Sequence, residues 1–166
     1  MDPVFAEMIS VDSNRAFNFF LSGLSDISNK DKHNQETLYV ASVLAHYAQV
    51  SCFSRDCVGP FSNLSQIFDT FFLNNLFLDD PEMLEVGGSQ VLLLSGFFRD
   101  QMKKRHNVNW YDKIGCSFYD QAASLSKDPK KKELFYNLSV SLPEWNLICR
   151  NFNRQCFENR FLLKIN

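Results

Sequence analysis

Apolar and polar residues follow the 3.6-residue period of α-helices along almost the whole chain. Phe17, Phe20, Leu21 and Leu24 form one such face, and Val40, Val43, Leu44, Tyr47 and Ala48 form another. No alternating run is long enough for a sheet. The pattern therefore predicts an all-α fold, a single-domain bundle of about seven helices, over residues 5–24, 36–52, 64–72, 81–106, 110–127, 129–142 and 144–163.

The segment 79–106 is predicted to be the central helix of the bundle. Two aspartates stand before Pro81, which is typical of a helix start. Residues 86–98 carry no charge and are too densely apolar for one narrow stripe, so this part is expected to be buried on nearly every side. The basic end that follows is expected to emerge into water.

Glycine and proline mark the expected interruptions. Gly23 and the polar run after it are expected to end the first helix, and Pro143 to separate the last two. Gly115 lies in the middle of a helical pattern, which is explained if a neighbouring helix crosses there. Gly87 and Gly88 either kink the central helix or allow another helix to approach it closely.

Length and composition fit one domain spanning residues 1–166. The chain is 45% apolar and 22% charged, close to globular averages, and its 17 phenylalanines mostly serve to fill a core. The net charge of −2 conceals an asymmetry of −7 over residues 1–83 and +5 over residues 84–166. If the halves intermix, this is internal complementarity; if they segregate, the basic half could meet an acidic partner.

The sequence indicates a cytoplasmic protein. The acidic start, MDPVFAEMIS, lacks the basic and apolar regions of a secretory signal, and the longest uncharged run, 37–54, is too polar for a membrane span. Five cysteines without framework spacing indicate reduced thiols.

Residues 95–125 resemble a family of small helical bacterial proteins. The pattern is a Ser-Gly-Phe-Phe helix end, a basic turn, an aromatic pair, and then a Gly and a Tyr at helical spacing, here Ser95, Gly96, Phe97, Phe98, Arg99, Trp110, Tyr111, Gly115 and Tyr119. It covers about a fifth of the chain. The resemblance implies a helical cytoplasmic protein and brings no activity with it.

No motif predicts catalysis, a metal or a cofactor. The cysteine pairs lack zinc spacing, and His33, His46 and His106 are scattered. No nucleophile elbow is present, although a Cys–His pair stays open because its members need not be neighbours in sequence. Gly87-Gly88-Ser89-Gln90 lacks the later residues of a phosphate-binding loop, and helix packing explains it better.

Two basic clusters are candidate patches for nucleic acid. The first comprises Lys103, Lys104 and Arg105 with Arg99 nearby, and the second comprises Lys127, Lys130, Lys131 and Lys132. Phosphate contacts need such charge. However, a pI of about 5.9 and the lack of a helix-turn-helix signature argue against nucleic acid, and solvated faces or helix caps are the simpler interpretation.

Aromatic residues next to arginine are typical of protein interfaces. The candidate partner-binding residues are Phe97, Phe98, Arg99, Trp110, Tyr111 and Tyr119, for which core filling is the alternative role. The resulting prediction is a non-catalytic adaptor, chaperone-like or regulatory protein that binds a protein partner or a second copy of itself. The alternatives are a small-molecule binder or small enzyme with a pocket between helices, and then a nucleic-acid-associated regulator.

Overall fold

The computed structural model describes residues 3–53, 67 and 78–158, and the side chains of 14–49, 67 and 78–156. Within these residues the backbone is helical apart from turns, and no strand occurs, which confirms the all-α fold. Six α-helices are seen in this part of the chain: α1 (Pro3–Ser28), α2 (Gln35–Phe53), α3 (Pro81–Val91), α4 (Arg99–Met102), α5 (Val108–Leu125) and α6 (Pro129–Glu158). The helix expected over 64–72 lies outside the described residues except for Ile67, which is helical and buried.

The chain divides into two compact units, Met1–Pro60 and Phe61–Asn166. The single domain over 1–166 thus stays a prediction. In the first unit α1 packs against α2. The expected break after Leu24 is wrong, because α1 continues through Gly23 to Ser28. Leu24 is fully buried, so packing outweighs the helix-breaking tendency of the glycine before it.

The turn between α1 and α2 is closed by local side-chain hydrogen bonds. Asn29 takes a left-handed conformation with φ of 54°, which asparagine tolerates better than most residues. The Oγ of Ser25 donates to the carbonyl oxygen of Lys30 at 2.6 Å. At the start of α2, the Oδ1 of Asn34 accepts from the backbone N–H groups of Glu36 and Thr37 and so caps the helix.

In the second unit the expected central helix begins as predicted. The Oδ1 of Asp80 accepts from the N–H groups of Glu82 and Met83 at 3.0 and 3.4 Å, and Pro81 occupies the first turn. The helix is buried where the sequence is uncharged, at Leu84, Gly87, Gly88, Ser89, Gln90, Val91, Leu92, Leu94, Ser95 and Gly96.

The central element is not one continuous α-helix. Leu92–Phe97 is a π-helical turn, in which the N–H of Phe98 donates to the carbonyl of Leu93, five residues back, at 2.9 Å. Phe98 leaves helical geometry, with φ −95° and ψ 23°, and the short α4 begins after it. Such a turn adds a residue to the helix and re-aims the side chains around it.

Helices α5 and α6 complete the second unit. α5 packs against both α3 and α6, and the π-helical turn packs on α6. At Gly115 an added Cβ would stand 2.6 Å from Cδ2 of Leu142 and 2.7 Å from Cγ1 of Val91. The close crossing expected at Gly115 is therefore present, with α6 on one side and α3 on the other.

The expected helix break at Pro143 is wrong. α6 runs through Pro143 without interruption from Pro129 to Glu158. Pro143 is exposed, while its neighbours Leu142 and Trp145 are fully buried. Packing on both sides of the proline holds the helix together, although the ring removes one N–H donor from the backbone hydrogen bonding.

Candidate functional site

A buried polar network joins the π-helical turn to α5 and α6. The carboxylate of Asp112 on α5 accepts from Ser95 Oγ at 2.6 Å, from Asn146 Nδ2 at 2.7 Å, and from Arg99 Nη1 at 3.1 and 3.0 Å. All four residues are buried. Buried charges are costly unless they are paired and hydrogen-bonded, and here both conditions are met.

The Arg99 guanidinium is fixed by further acceptors. Its Nη1 also donates to the carbonyl oxygen of Ser95 at 2.8 Å, and its Nη2 donates to Asn109 Oδ1 at 2.9 Å. A parallel contact lies two turns beyond Asn146 on α6, where Asn153 Nδ2 donates to the carbonyl of Phe97. Side chains thus satisfy carbonyl groups within the irregular turn, as buried backbone requires.

One polar atom in the network lacks a hydrogen-bond partner among the described residues. The Oδ1 of Asn146 is buried and unpaired. It points at Gly96, where an added Cβ would stand 2.8 Å from it and 3.1 Å from Cα of Asn146. Asn146 thus fills the space in which a side chain at position 96 would stand.

The geometry favours a structural role for the network over a catalytic one. A general base or nucleophile needs a free lone pair facing a reactant. The Asp112 carboxylate instead accepts four hydrogen bonds from three side chains, and Ser95 Oγ is directed at that carboxylate. The network fastens three elements together through a single anion.

A second, more exposed cluster surrounds Asp100 on α4. Its carboxylate contacts Arg150 Nε at 3.0 Å, Arg154 Nε at 2.7 Å and Lys103 Nζ at 3.4 Å. The hydrogen bond from Arg154 is the main cause that lowers the pKa of Asp100 from 3.8 to about 2, and the charges of Arg150 and Arg154 act in the same direction against desolvation. α4 is thereby tied to the C-terminal part of α6.

The six candidate partner-binding residues do not form one surface. Tyr119 is fully buried, with its ring 5.9 Å from that of Phe135 and against Gly88. Tyr111 and Arg99 are also buried, which favours an internal role for these three candidates over contact with a partner. Their aromatic or planar groups fill the core and pair a buried charge.

The other three candidates keep some accessible surface. Phe97 and Phe98 are partly buried, with ring centroids 5.0 Å apart in an edge-to-face arrangement. Trp110 is 42% exposed at the start of α5. A partner-binding role for these residues stays a prediction.

The candidate basic patch lies in a turn after α4. Lys103, Lys104 and Arg105 are exposed, and within the described residues only Lys103 has an ion-pair partner, Asp100. The second basic cluster is exposed as well, at the start of α6: Lys127, Lys130, Lys131 and Lys132.

An apolar surface that sequence reasoning missed lies on α6. One face of α6 packs into the core through Leu138, Leu142, Trp145, Cys149 and Phe152. The opposite face, where a surface helix is normally polar, exposes Tyr136 by 59%, Val140 by 69% and Leu147 by 46%. With the exposed Pro143 these residues follow the spacing i, i+4, i+7 and i+11, so they form one stripe, which we call the α6 outer face.

The spacing of the α6 outer face was readable in the sequence. Tyr136, Val140 and Leu147 are separated by whole helical turns. The predicted break at Pro143 concealed this, because it assigned Leu147 to a different helix. A single exposed apolar residue needs no explanation, but several on one stripe do.

The three cysteines among residues 78–156 lie in surroundings that disfavour their ionised form. Burial raises the pKa of the Cys149 thiol to about 12 and also raises the pKa of Cys116 and Cys156, which disfavours the reactive thiolate. Across residues 14–49, 67 and 78–156 no group of three or more His, Cys, Asp and Glu side chains could hold a metal ion. No helix in the described part of the chain is both long and apolar enough to cross a bilayer.

The chain was compared with family models, curated proteins and solved structures. No family model, no curated protein and no solved structure matches the chain.

Proposed function

We propose that the protein is a non-catalytic binding protein that contacts another polypeptide through the α6 outer face. The supporting observation is the exposure of Tyr136, Val140 and Leu147 at helical spacing on a helix whose other face is already buried in the core. Apolar stripes of this kind on soluble domains mark interaction sites.

A partner that binds the α6 outer face would remove its apolar side chains from water. Fully burying a valine or leucine side chain contributes about 1.5–3 kcal/mol, and tyrosine contributes a large surface with a polar tip. Three such residues on one helix can supply the apolar centre of a small interface. The Asp112 network supports the same interpretation, because it fastens α6 to α5 and so presents the outer face on a rigid support.

Site-specific photocrosslinking in cells tests this proposal. A benzophenone amino acid is placed at Val140, and the matched control carries it at Leu125, an exposed residue on α5. We expect one discrete adduct with a second polypeptide from position 140 and none from position 125. Adducts from neither position, or the same adducts from both, would contradict the proposal.

A further inference from the structure

The α6 outer face continues into a cationic end. Leu147 is followed by Arg150 at i+3 and Arg154 at i+7, which places all three on adjacent turns of one side of the helix. Lys103 joins them, because Asp100 contacts the side chains of Lys103, Arg150 and Arg154. From Tyr136 to Arg154 the combined surface is about 27 Å long at 1.5 Å per residue.

The cationic end carries an excess of positive charge. Arg154 also contacts Asp100, but the excess does not depend on it. The single carboxylate of Asp100 already contacts two other cations, Arg150 and Lys103. Lys104 and Arg105 follow Lys103 in the chain, and both are exposed without an acidic partner among the described residues. One anion cannot neutralise this group, so the surface favours a negatively charged ligand.

Arg150 is positioned to bind a carboxylate. Its Nε is held by Asp100 at 3.0 Å, which orients the guanidinium, and its Nη1 and Nη2 atoms have no acceptor among the described residues. A quarter of the side chain is exposed. A guanidinium held in this way presents its remaining donors to a ligand with little loss of conformational freedom.

We infer that the occupant of this surface is an acidic amphipathic segment of a partner protein. This inference rests on the proposed function and specifies the partner's chemistry. Its apolar side chains pack on Tyr136, Val140 and Leu147, and its Asp or Glu carboxylates lie one to two turns further along, at Arg150 and Lys103. Apolar contact supplies the area, while the charges at one end fix the direction in which the segment lies.

Selection from a displayed library of random 16-residue peptides tests the inference on the full chain. We expect the enriched peptides to combine negative net charge with apolar residues at helical spacing. Fluorescence anisotropy then measures one enriched peptide against two double variants of equal charge change. K103Q/R150Q should weaken binding at least tenfold, whereas K130Q/K131Q, at the other end of α6, should change it less than twofold.

The other outcomes separate the inference from the proposed function. Enriched peptides without negative charge, or equal weakening by the two charge variants, would overturn the acidic partner and leave the apolar contact standing. The variant V140Q/L147Q is first shown to keep the circular dichroism spectrum and melting temperature of the wild type. If it then bound the peptide as tightly as the wild type does, both the inference and the proposed function would be overturned. A library without binders would overturn the inference alone, since photocrosslinking still decides the proposed function.

A second copy of the chain is the competing occupant. Native mass spectrometry of the wild type and of V140Q/L147Q distinguishes it. A dimer that the double variant abolishes would assign the face to self-association and overturn the acidic partner. A monomer in both samples is the expected result.

Discussion

The Arg99 guanidinium and the Asp112 carboxylate form a buried ion pair, with Nη1 of Arg99 3.0 Å from Oδ2 of Asp112 and both side chains about one-tenth exposed. The pair joins the first residue of α4 to the first half of α5. Asn146 adds α6 by donating to the same carboxylate at 2.7 Å. Three elements of the second unit therefore depend on one anion.

Removing one member of the pair is expected to destabilise the protein strongly. D112A leaves the Arg99 charge buried without its partner, which typically costs about 3–5 kcal/mol. The double variant R99M/D112L replaces both charges with apolar side chains. Its loss of unfolding free energy is expected to be smaller than the sum of the losses in R99M and D112L. The reason is that the second substitution removes the charge that the first leaves unpaired.

Urea denaturation of the wild type, the two single variants and the double variant measures this coupling. If the loss of unfolding free energy in the double variant equals the sum of the losses in the two single variants within about 0.5 kcal/mol, the pair is not coupled. S124A, a change at an exposed serine on α5, serves as the control and is expected to stay within about 0.5 kcal/mol of the wild type.

Whether alanine at position 96 stabilises or destabilises the protein tests the close approach of α6 to Gly96. Helix propensity alone predicts that alanine stabilises by up to about 1 kcal/mol. The structure predicts the reverse, because the new Cβ would stand 2.8 Å from Asn146 Oδ1 and 3.1 Å from Asn146 Cα, a backbone atom that cannot turn aside. We expect G96A to lose about 1–3 kcal/mol in thermal or urea unfolding. A more stable G96A would show that α6 does not approach the turn this closely.

Acid titration tests the Asp100 cluster. The pKa of Asp100 is lowered from 3.8 to about 2 in the folded protein, chiefly by the hydrogen bond from Arg154. Its contribution to stability is therefore fully present above about pH 4 and is lost as the pH falls towards 2. Because these side chains are a quarter to a half exposed, screening keeps the effect below about 1 kcal/mol.

D100N is expected to remove this part of the pH dependence. Unfolding curves at pH 2, 3, 4 and 5 for D100N and the wild type should converge at the lowest pH and separate above it. D120N, at an exposed carboxylate on α5, controls for the loss of one negative charge. Equal separation for D100N and D120N would mean that the arginines do not act on Asp100 specifically.

The sequence predicted what local patterns determine and missed what distant contacts determine. The cap at Asp80 and the burial of most of residues 87–96 follow from short-range composition, whereas the breaks expected after Leu24 and at Pro143 did not form. Tyr119 was a candidate for partner binding with core filling as the alternative, because interfaces and cores draw on the same aromatic residues. Only the packing of α3 against α5, with Gly88 beneath the ring, decided between them.

The buried network illustrates the same limit. Ser95 and Arg99 are one turn apart, but Asp112 and Asn146 are 13 and 47 residues from Arg99 in sequence. Nothing local distinguishes Asp112 from a solvated aspartate. Its partners meet only because α5 and α6 pack on the same turn, and the π-helical geometry re-aims Arg99 towards them.

Pro143 interrupts the hydrogen bonding of α6 at an exposed position, so its replacement should stabilise the helix. P143A restores an N–H donor to the helix interior, where proline costs about 3 kcal/mol relative to alanine. Greater freedom of the unfolded chain offsets about 0.4–1 kcal/mol of that gain. We expect a higher melting temperature for P143A in differential scanning calorimetry. N137A, an exposed site two turns earlier, measures the gain from helix propensity alone and is expected to give a smaller rise. A lower melting temperature for P143A would mean that the packing of Leu142 and Trp145 requires the proline.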